Sequence, residues 1–177
     1  MEFTEKTLKS EQVFNGRIVK VFKDDIELSD GKKSFREVVK HSGGVVILAT
    51  KEDKILLVKQ FRYPMKEVML ELPAGKLEPN EDPFLAAQRE LEEETGYCAK
   101  SWTNLGFIYT SPGYSDEKLY LSKAENLYFT NCHPDEGEII QTFEYDIKDI
   151  INLINDGTIN DAKTLCAFFR AFSRELL

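Results

Sequence analysis

Residues 75–97 read GKLEPNEDPFLAAQRELEEETGY, and no other stretch constrains the chain as strongly. Gly75, Glu81, Arg89, Glu90, Leu91, Glu93, Glu94, Gly96 and Tyr97 stand at fixed offsets in the pattern G-x5-E-x7-R-E-U-x-E-E-x-G-U, where U is apolar or aromatic. With ordinary residue frequencies such a pattern arises by chance on the order of 10⁻⁹ per starting point. Asp82-Pro83 is a helix start, because Asp caps and a proline at the first helical position loses no needed donor. Gly96 is a left-handed stop. The interval predicts a helix of about 13 residues. Phe84, Ala87 and Leu91 should face a core, with Glu90, Glu93 and Glu94 to one side. Three carboxylates that close repel one another unless positive charge sits among them. Hard divalent cations take oxygen ligands and share them with phosphates. Gly75 lets the preceding loop approach closely, so a carbonyl at Ala74 joins the candidate ligands. A solvated acidic helix face is the plainer alternative, and the matching loop glycine, Glu81, Arg89 and Gly96-Tyr97 argue against it.

The 177 residues suit one domain with a sizeable core, and 42% hydrophobic with 31% charged content is ordinary for a soluble globule. No apolar run approaches the roughly 20 residues of a membrane span. The start, MEFTEKTLKSEQ, has no apolar signal core, so cytoplasmic residence is expected. Cys98, Cys132 and Cys166 are odd in number and far apart, which indicates neither a zinc site nor a disulfide framework. A net charge of −8 with no basic stripe argues against nucleic-acid binding. The same charge repels a diphosphate, unless cations occupy the acids and bind it in turn.

Three zones follow along the chain. Residues 1–41 predict a small antiparallel sheet, with strands over 17–22, 24–28 and 35–40 and a hairpin turn at Ser29-Asp30-Gly31-Lys32. Residues 43–145 carry strand runs at 45–48, 55–58, 68–72, 105–109, 118–122, 127–130 and 139–146 around the helix. Residues 147–177 are helical, with Ile150, Leu153 and Ile154 on one face and Leu165, Phe168, Phe169, Phe172 and Leu176 on a second. The expected fold is α/β: an α/β/α sandwich with a mixed sheet, occupying 42–177, and an appended antiparallel sheet over 1–41.

The 75–97 pattern resembles the signature of the Nudix hydrolases, which cleave nucleoside diphosphates linked to another group, and the element order resembles that fold. Features outside the box resemble the ADP-ribose pyrophosphatase branch over residues 15–172. Ser111-Pro112-Gly113 places a proline 15 residues beyond Tyr97, and Gln60-Phe61-Arg62-Tyr63 carries an arginine at a strand end. An acidic loop, Asp135-Glu136-Gly137-Glu138, precedes a strand, and Arg36 lies on a strand just before His41-Ser42-Gly43-Gly44.

The resemblance implies Mg²⁺-dependent hydrolysis of ADP-ribose to AMP and ribose 5-phosphate, with Mn²⁺ as a substitute. It implies Glu90, Glu94, Glu138 and the Ala74 carbonyl as metal ligands, Glu136 as general base, and Glu93 as a ligand or its support. Arg89 would hold the acids by ion pairing, while Arg62, Arg36, Pro112 and Gly113 would meet substrate. Residues 1–41 hold too little apolar mass for a core of their own, and the branch uses this region to complete a partner's pocket, so a two-fold homodimer is expected. Two rivals stand: a hydrolase of other nucleoside diphosphate sugars, and a non-catalytic sensing module. The intact box argues against the second.

Overall fold

The computed structural model describes residues 3–130 and 139–173. Two compact units emerge: residues 1–43 with 109–118, and residues 44–108 with 119–177.

The first unit is a three-stranded antiparallel sheet of β1 (Glu5–Asn15), β2 (Lys20–Leu28) and β3 (Lys33–Lys40). The β2–β3 hairpin turns where expected, with Gly31 at φ 83° and the Asp30 carboxylate accepting from the Lys32 N–H at 3.1 Å. Two expectations are corrected here. Residues 17–22 and 24–28 do not form separate strands; the chain turns before Lys20, where Gly16 N–H bonds the Val19 carbonyl at 2.9 Å, and β2 then runs unbroken. The strand β1 was not expected. All of it is exposed, so EKTLKSEQVFN never needed the alternation by which a half-buried strand announces itself. Segment 109–118 joins this unit through β3: Val39 N–H bonds the Tyr114 carbonyl at 2.7 Å, and Asp116 N–H bonds the Val39 carbonyl at 3.2 Å.

The second unit is built on β4 (Gly44–Lys51) and β5 (Lys54–Arg62), joined by a tight hairpin. The two pair only at Thr50↔Ile55 and Lys51↔Lys54 and then part. Where β4 parts from it, β5 takes β6 (Glu67–Glu71) on that edge, and along its other edge it takes β10 (Ile140–Asp146), both antiparallel. β4 takes β7 (Ala74–Lys76) antiparallel and β9 (Lys118–Phe129) parallel. β8 (Tyr97–Tyr109) lies outside β9. The separate runs expected at 118–122 and 127–130 are one strand, and β8 starts immediately after Gly96 rather than at Leu105.

Helices cover both faces, and β4 shows why. Its fully apolar run sends Val45, Ile47 and Ala49 one way, to Ala86, Ala87 and Leu91 of α1 (Pro83–Thr95). Val46 and Leu48 go the other way, to Ile150 of α2 (Ile147–Asn155) and Ala167, Phe168 and Phe172 of α3 (Ala162–Phe172). A strand buried on both sides reads as a continuous hydrophobic run. Ala86 takes the core position expected of Phe84, which is 45% exposed and meets Trp102 edge-on. Phe169 also points outward. Leu176 lies outside the described residues. Among the described residues no helix is long and apolar enough to cross a membrane.

Candidate active site

α1 begins and ends where its sequence says. The Asp82 carboxylate accepts from the Phe84 and Leu85 N–H groups at 2.9 and 3.3 Å, Pro83 opens the helix, and Gly96 closes it at φ 74°. With Ala86, Ala87 and Leu91 buried, the helix must present Arg89, Glu90, Glu93 and Glu94 on its other flank.

That flank faces the loop 73–76, which the sheet itself holds. β7 pairs Val45↔Gly75 and Val46↔Ala74, and Ile47 N–H bonds the Pro73 carbonyl at 2.9 Å. Two glycines allow the approach. A Cβ on Gly44 would stand 2.5 Å from the Gly75 carbonyl oxygen, and one on Gly75 would stand 1.9 Å from the Glu90 carboxyl carbon. The Glu90 carboxylate thus lies against the Gly75 backbone. Glu94, buried at 6% exposure, accepts from the Ala74 N–H at 3.0 Å. Two acids one helical turn apart converge on one short loop.

Arg89 balances their charge. Its Nε and Nη2 grip the two Glu81 oxygens at 2.9 and 3.0 Å, and its Nη1 bonds Glu90 and Glu93 at 2.8 Å each. Hydrogen bonding to Arg89 holds the Glu81 carboxyl below the usual carboxylate range. Arg89 is therefore a clamp rather than an exposed contact. Among the described residues no three His, Cys, Asp or Glu side chains enclose a metal position. The donors that converge are carboxylates and backbone, the chemistry that suits a hard cation, and they fit one if a further acid completes the set. Glu136 and Glu138 lie outside the described residues, as do Cys132 and His133. The chain flanking 131–138 is fastened to the end of α1: Thr130 N–H bonds the Gly96 carbonyl at 2.8 Å, and the Thr142 hydroxyl bonds the Glu94 carbonyl at 3.0 Å.

Arg62, at the end of β5, stands in a second cluster of the same unit. Its Nε and Nη2 form a fork on Glu71 at 2.8 and 2.6 Å. Lys163 binds the same carboxylate and reaches Asp161 at 3.0 Å. Glu71 is 1% exposed. Burial opposes its ionisation, but the hydrogen bonds and charges of Arg62 and Lys163 outweigh burial and hold its carboxyl below the usual range. Asp161 caps α3, accepting from the Thr164 N–H and hydroxyl at 2.9 and 2.6 Å, and Thr164 in turn accepts the Leu72 N–H at 2.9 Å. The sequence reading missed Glu71, Lys163 and Thr164. One signal was present: a charged residue between Leu70 and Leu72, in a strand feeding the glycine loop.

Arg36, Pro112 and Gly113 belong to the N-terminal unit. Arg36 is ion-paired with Glu5 across the sheet and donates to the Phe35 carbonyl at 2.8 Å. Pro112 and Gly113 form a turn closed by Tyr114 N–H to the Ser111 carbonyl at 3.1 Å, and a Cβ on Gly113 would meet nothing within 4 Å.

Residues 40–168 match the family described as NUDIX domain, and residues 5–39 match the one described as nucleoside diphosphate sugar hydrolase N-terminal domain. The chain is similar to an ADP-ribose pyrophosphatase of Bacillus subtilis (strain 168), 45% identical over 166 residues, which cover 92% of this chain and 90% of that one. It is also similar to a methanol dehydrogenase activator of Bacillus methanolicus, 44% identical over 93% of this chain and 91% of that one. Among solved structures, a crystal structure of an ADP compounds hydrolase superposes with a TM-score of 0.87 at 26% identity, covering 100% of this chain and 96% of the other.

Proposed function

Because the chain belongs to the NUDIX domain family, we propose that it hydrolyses the pyrophosphate of ADP-ribose to AMP and ribose 5-phosphate. The observation that carries this reading is the convergence of Glu90 and Glu94 on the Ala74-Gly75 loop, in a chain 45% identical to a named ADP-ribose pyrophosphatase. Glu90, Glu94 and the Ala74 carbonyl, with Glu138, would hold Mg²⁺, for which Mn²⁺ would substitute. When bound, the cation neutralises the pyrophosphate and lowers the pKa of a water.

The chain's own residues supply the rest. Arg89 keeps Glu90 and Glu93 in place, and Glu93 supports the ligand set from beside it. Glu136 takes the proton of the attacking water. Arg62 offers a planar donor edge to a phosphate oxygen. The enzyme works in the cytoplasm as a two-fold homodimer. Dimerisation is supported by an N-terminal sheet in which Leu8, Val13, Phe14 and Phe35 are exposed and Ile26 is the buried hydrophobic residue. In that assembly Arg36 reaches substrate held mainly by the other subunit; Pro112 and Gly113 also meet substrate. The match of residues 5–39 to a nucleoside diphosphate sugar hydrolase domain favours, as a second reading, a different sugar on the same diphosphate.

The test is a screen of ADP-ribose, other nucleoside diphosphate sugars, dinucleotides and nucleoside triphosphates with Mg²⁺. ADP-ribose should be turned over best. Glu94→Gln should then lower kcat by on the order of 10²-fold. Glu136→Gln should lower it by roughly 10²–10⁴-fold with substrate still bound. Near-wild-type turnover of Glu94→Gln at saturating Mg²⁺ would sink the ligand assignment. A large loss in Glu138→Gln or Glu93→Gln without one in Glu136→Gln would reassign the base.

A further inference from the structure

β6 ends on a carboxylate where its pattern calls for a hydrocarbon. Glu71 lies between Leu70 and Leu72 and is 1% exposed. A charge buried that deeply is strongly unfavourable unless it is paired on all sides. Here it is paired twice over. Oε1 accepts Arg62 Nε at 2.8 Å, Oε2 accepts Arg62 Nη2 at 2.6 Å, and Oε2 also receives Lys163. The strand register makes this possible. Glu71 stands opposite Val58, and Val58 and Arg62 share one face of β5 by their four-residue spacing.

The fork uses one edge of the guanidinium. A planar guanidinium held through Nε and Nη2 must turn Nη1 away from the acid. The Arg62 side chain is 35% exposed while that of Glu71 is 1% exposed, so the arginine spans from the buried acid to the solvent side. Its orientation does not depend on Arg62 alone. Lys163 is fixed by Asp161, the α3 cap, and Leu72 is fixed to Thr164 one residue further along. Two adjacent residues of the chain, 71 and 72, are therefore tied to the first turn of α3, immediately before the loop that carries Ala74 and Gly75.

We propose that Glu71 is a positioning residue: together with Lys163 it locks the Arg62 guanidinium so that its Nη1 edge is presented to a phosphate of the nucleoside diphosphate substrate. The role rests on the hydrolase reading above, in which Arg62 meets that phosphate. An arginine locked in this way loses little freedom on binding, so the pair acts on substrate affinity rather than on the chemical step. A wandering Arg62 would bind the diphosphate weakly and still allow the bound substrate to react.

The experiment is a double-mutant cycle on the full-length protein, with ADP-ribose and Mg²⁺. Glu71→Gln should raise KM about tenfold and leave kcat within about threefold. Arg62→Lys should do the same, since a lysine cannot form the fork. The double variant should show a KM no higher than Arg62→Lys alone, because each change removes the same device. Lys163→Met, which leaves the fork but frees one side of Glu71, should raise KM less than Glu71→Gln. A fall in kcat at unchanged KM would make Glu71 a structural residue and overturn the proposal, as would KM effects that simply multiply in the double variant. If Glu71→Gln does not fold, as judged by circular dichroism, the cycle of Lys163→Met with Arg62→Lys decides by the same criterion. A wild-type protein that turns over no nucleoside diphosphate sugar would overturn the hydrolase reading and this role with it. An active wild type with independent KM effects removes the role alone.

Discussion

The two sheets of this protein are opposites. In the central unit, β4 and β5 carry unbroken apolar runs, and both faces are covered by helices: Val45, Ile47 and Leu56 on one side, Val46, Leu48 and Leu57 on the other, all at 1% exposure or less. In the N-terminal unit every residue of β1 is exposed, and Ile26 is the buried hydrophobic among the described residues. The first sheet is stabilised by what it buries. The second is held by its hydrogen-bond ladder and by exposed pairs such as Lys9–Glu11 and Arg36–Glu5, which contribute little in water. A sheet of that kind draws little stability from apolar burial of its own. The central sheet supplies a rigid frame for Glu90 and Glu94, while the N-terminal sheet offers surface.

The sharpest way to break this contrast is one truncation in each sheet. Leu57→Ala should cost about 2–5 kcal/mol in urea unfolding, because it empties a site in a closed core. Leu8→Ala in β1 should stay within about 0.5 kcal/mol if the chain acts alone. A cost above that, growing with protein concentration, would show β1 covered by a second copy. Sedimentation at micromolar concentration would settle the same point independently.

Glycines extend the contrast to function. Gly75→Ala puts a methyl on top of the Glu90 carboxylate, the movable end of a side chain. The fold should survive while kcat falls on the order of 10²-fold, since the displaced group is a proposed ligand. Gly31→Ala in the N-terminal hairpin meets nothing within 4 Å but sits at φ 83°. It should cost about 1 kcal/mol of stability and leave kcat unchanged. Similar activity losses in both would mean that Gly75 acts through stability rather than through Glu90.

Smaller still is the cap. Asp82→Ala removes the acceptor for two N–H groups at the start of α1 and should cost about 1 kcal/mol by thermal unfolding.

The last test is pH. Glu71 is held below its ordinary value of 4.5 in the folded state, so its pairing stabilises the protein fully above that pH and is lost as pH falls through the depressed value. The Tm gap between wild type and Glu71→Gln should therefore narrow on acidification from pH 7 to 3. The exposed Glu11 carboxyl is also lowered, by its hydrogen bond to Lys9, but solvent and salt screen that pair. Glu11→Gln should leave the acid limb of the stability curve where it is.

Much of this was legible in one dimension. The cap at Asp82, the stop at Gly96, the burial of Leu91 and the grouping of the acids follow from helical spacing and terminal chemistry, which act over a few residues. The apolar runs of β4 and β5 announced a sheet covered on both faces. Phe84 was misjudged because side chains at the helix ends can leave the core stripe at little cost, and Ala86 filled the place. β1 was missed because an exposed strand carries no hydrophobic alternation to read. Segment 109–118 showed only a Pro-Gly turn, and its pairing with β3 left no local mark.

The family-like box, its helix and the placing of Arg89, Glu90, Glu93 and Glu94 on one flank follow from local spacing, because an α-helix converts spacing into geometry directly. What those groups and Arg62 meet depends instead on how distant elements pack. Glu90 lies on Gly75 because β7 is stitched to β4. Arg62 is forked on Glu71 because β5 and β6 pair in one register, and Lys163, 92 residues further along, closes the cluster because α3 is anchored there through Thr164. Hydrogen bonds act over about 3 Å of space, and a linear pattern does not record which distant residues the packing of sheet and helix brings within that reach.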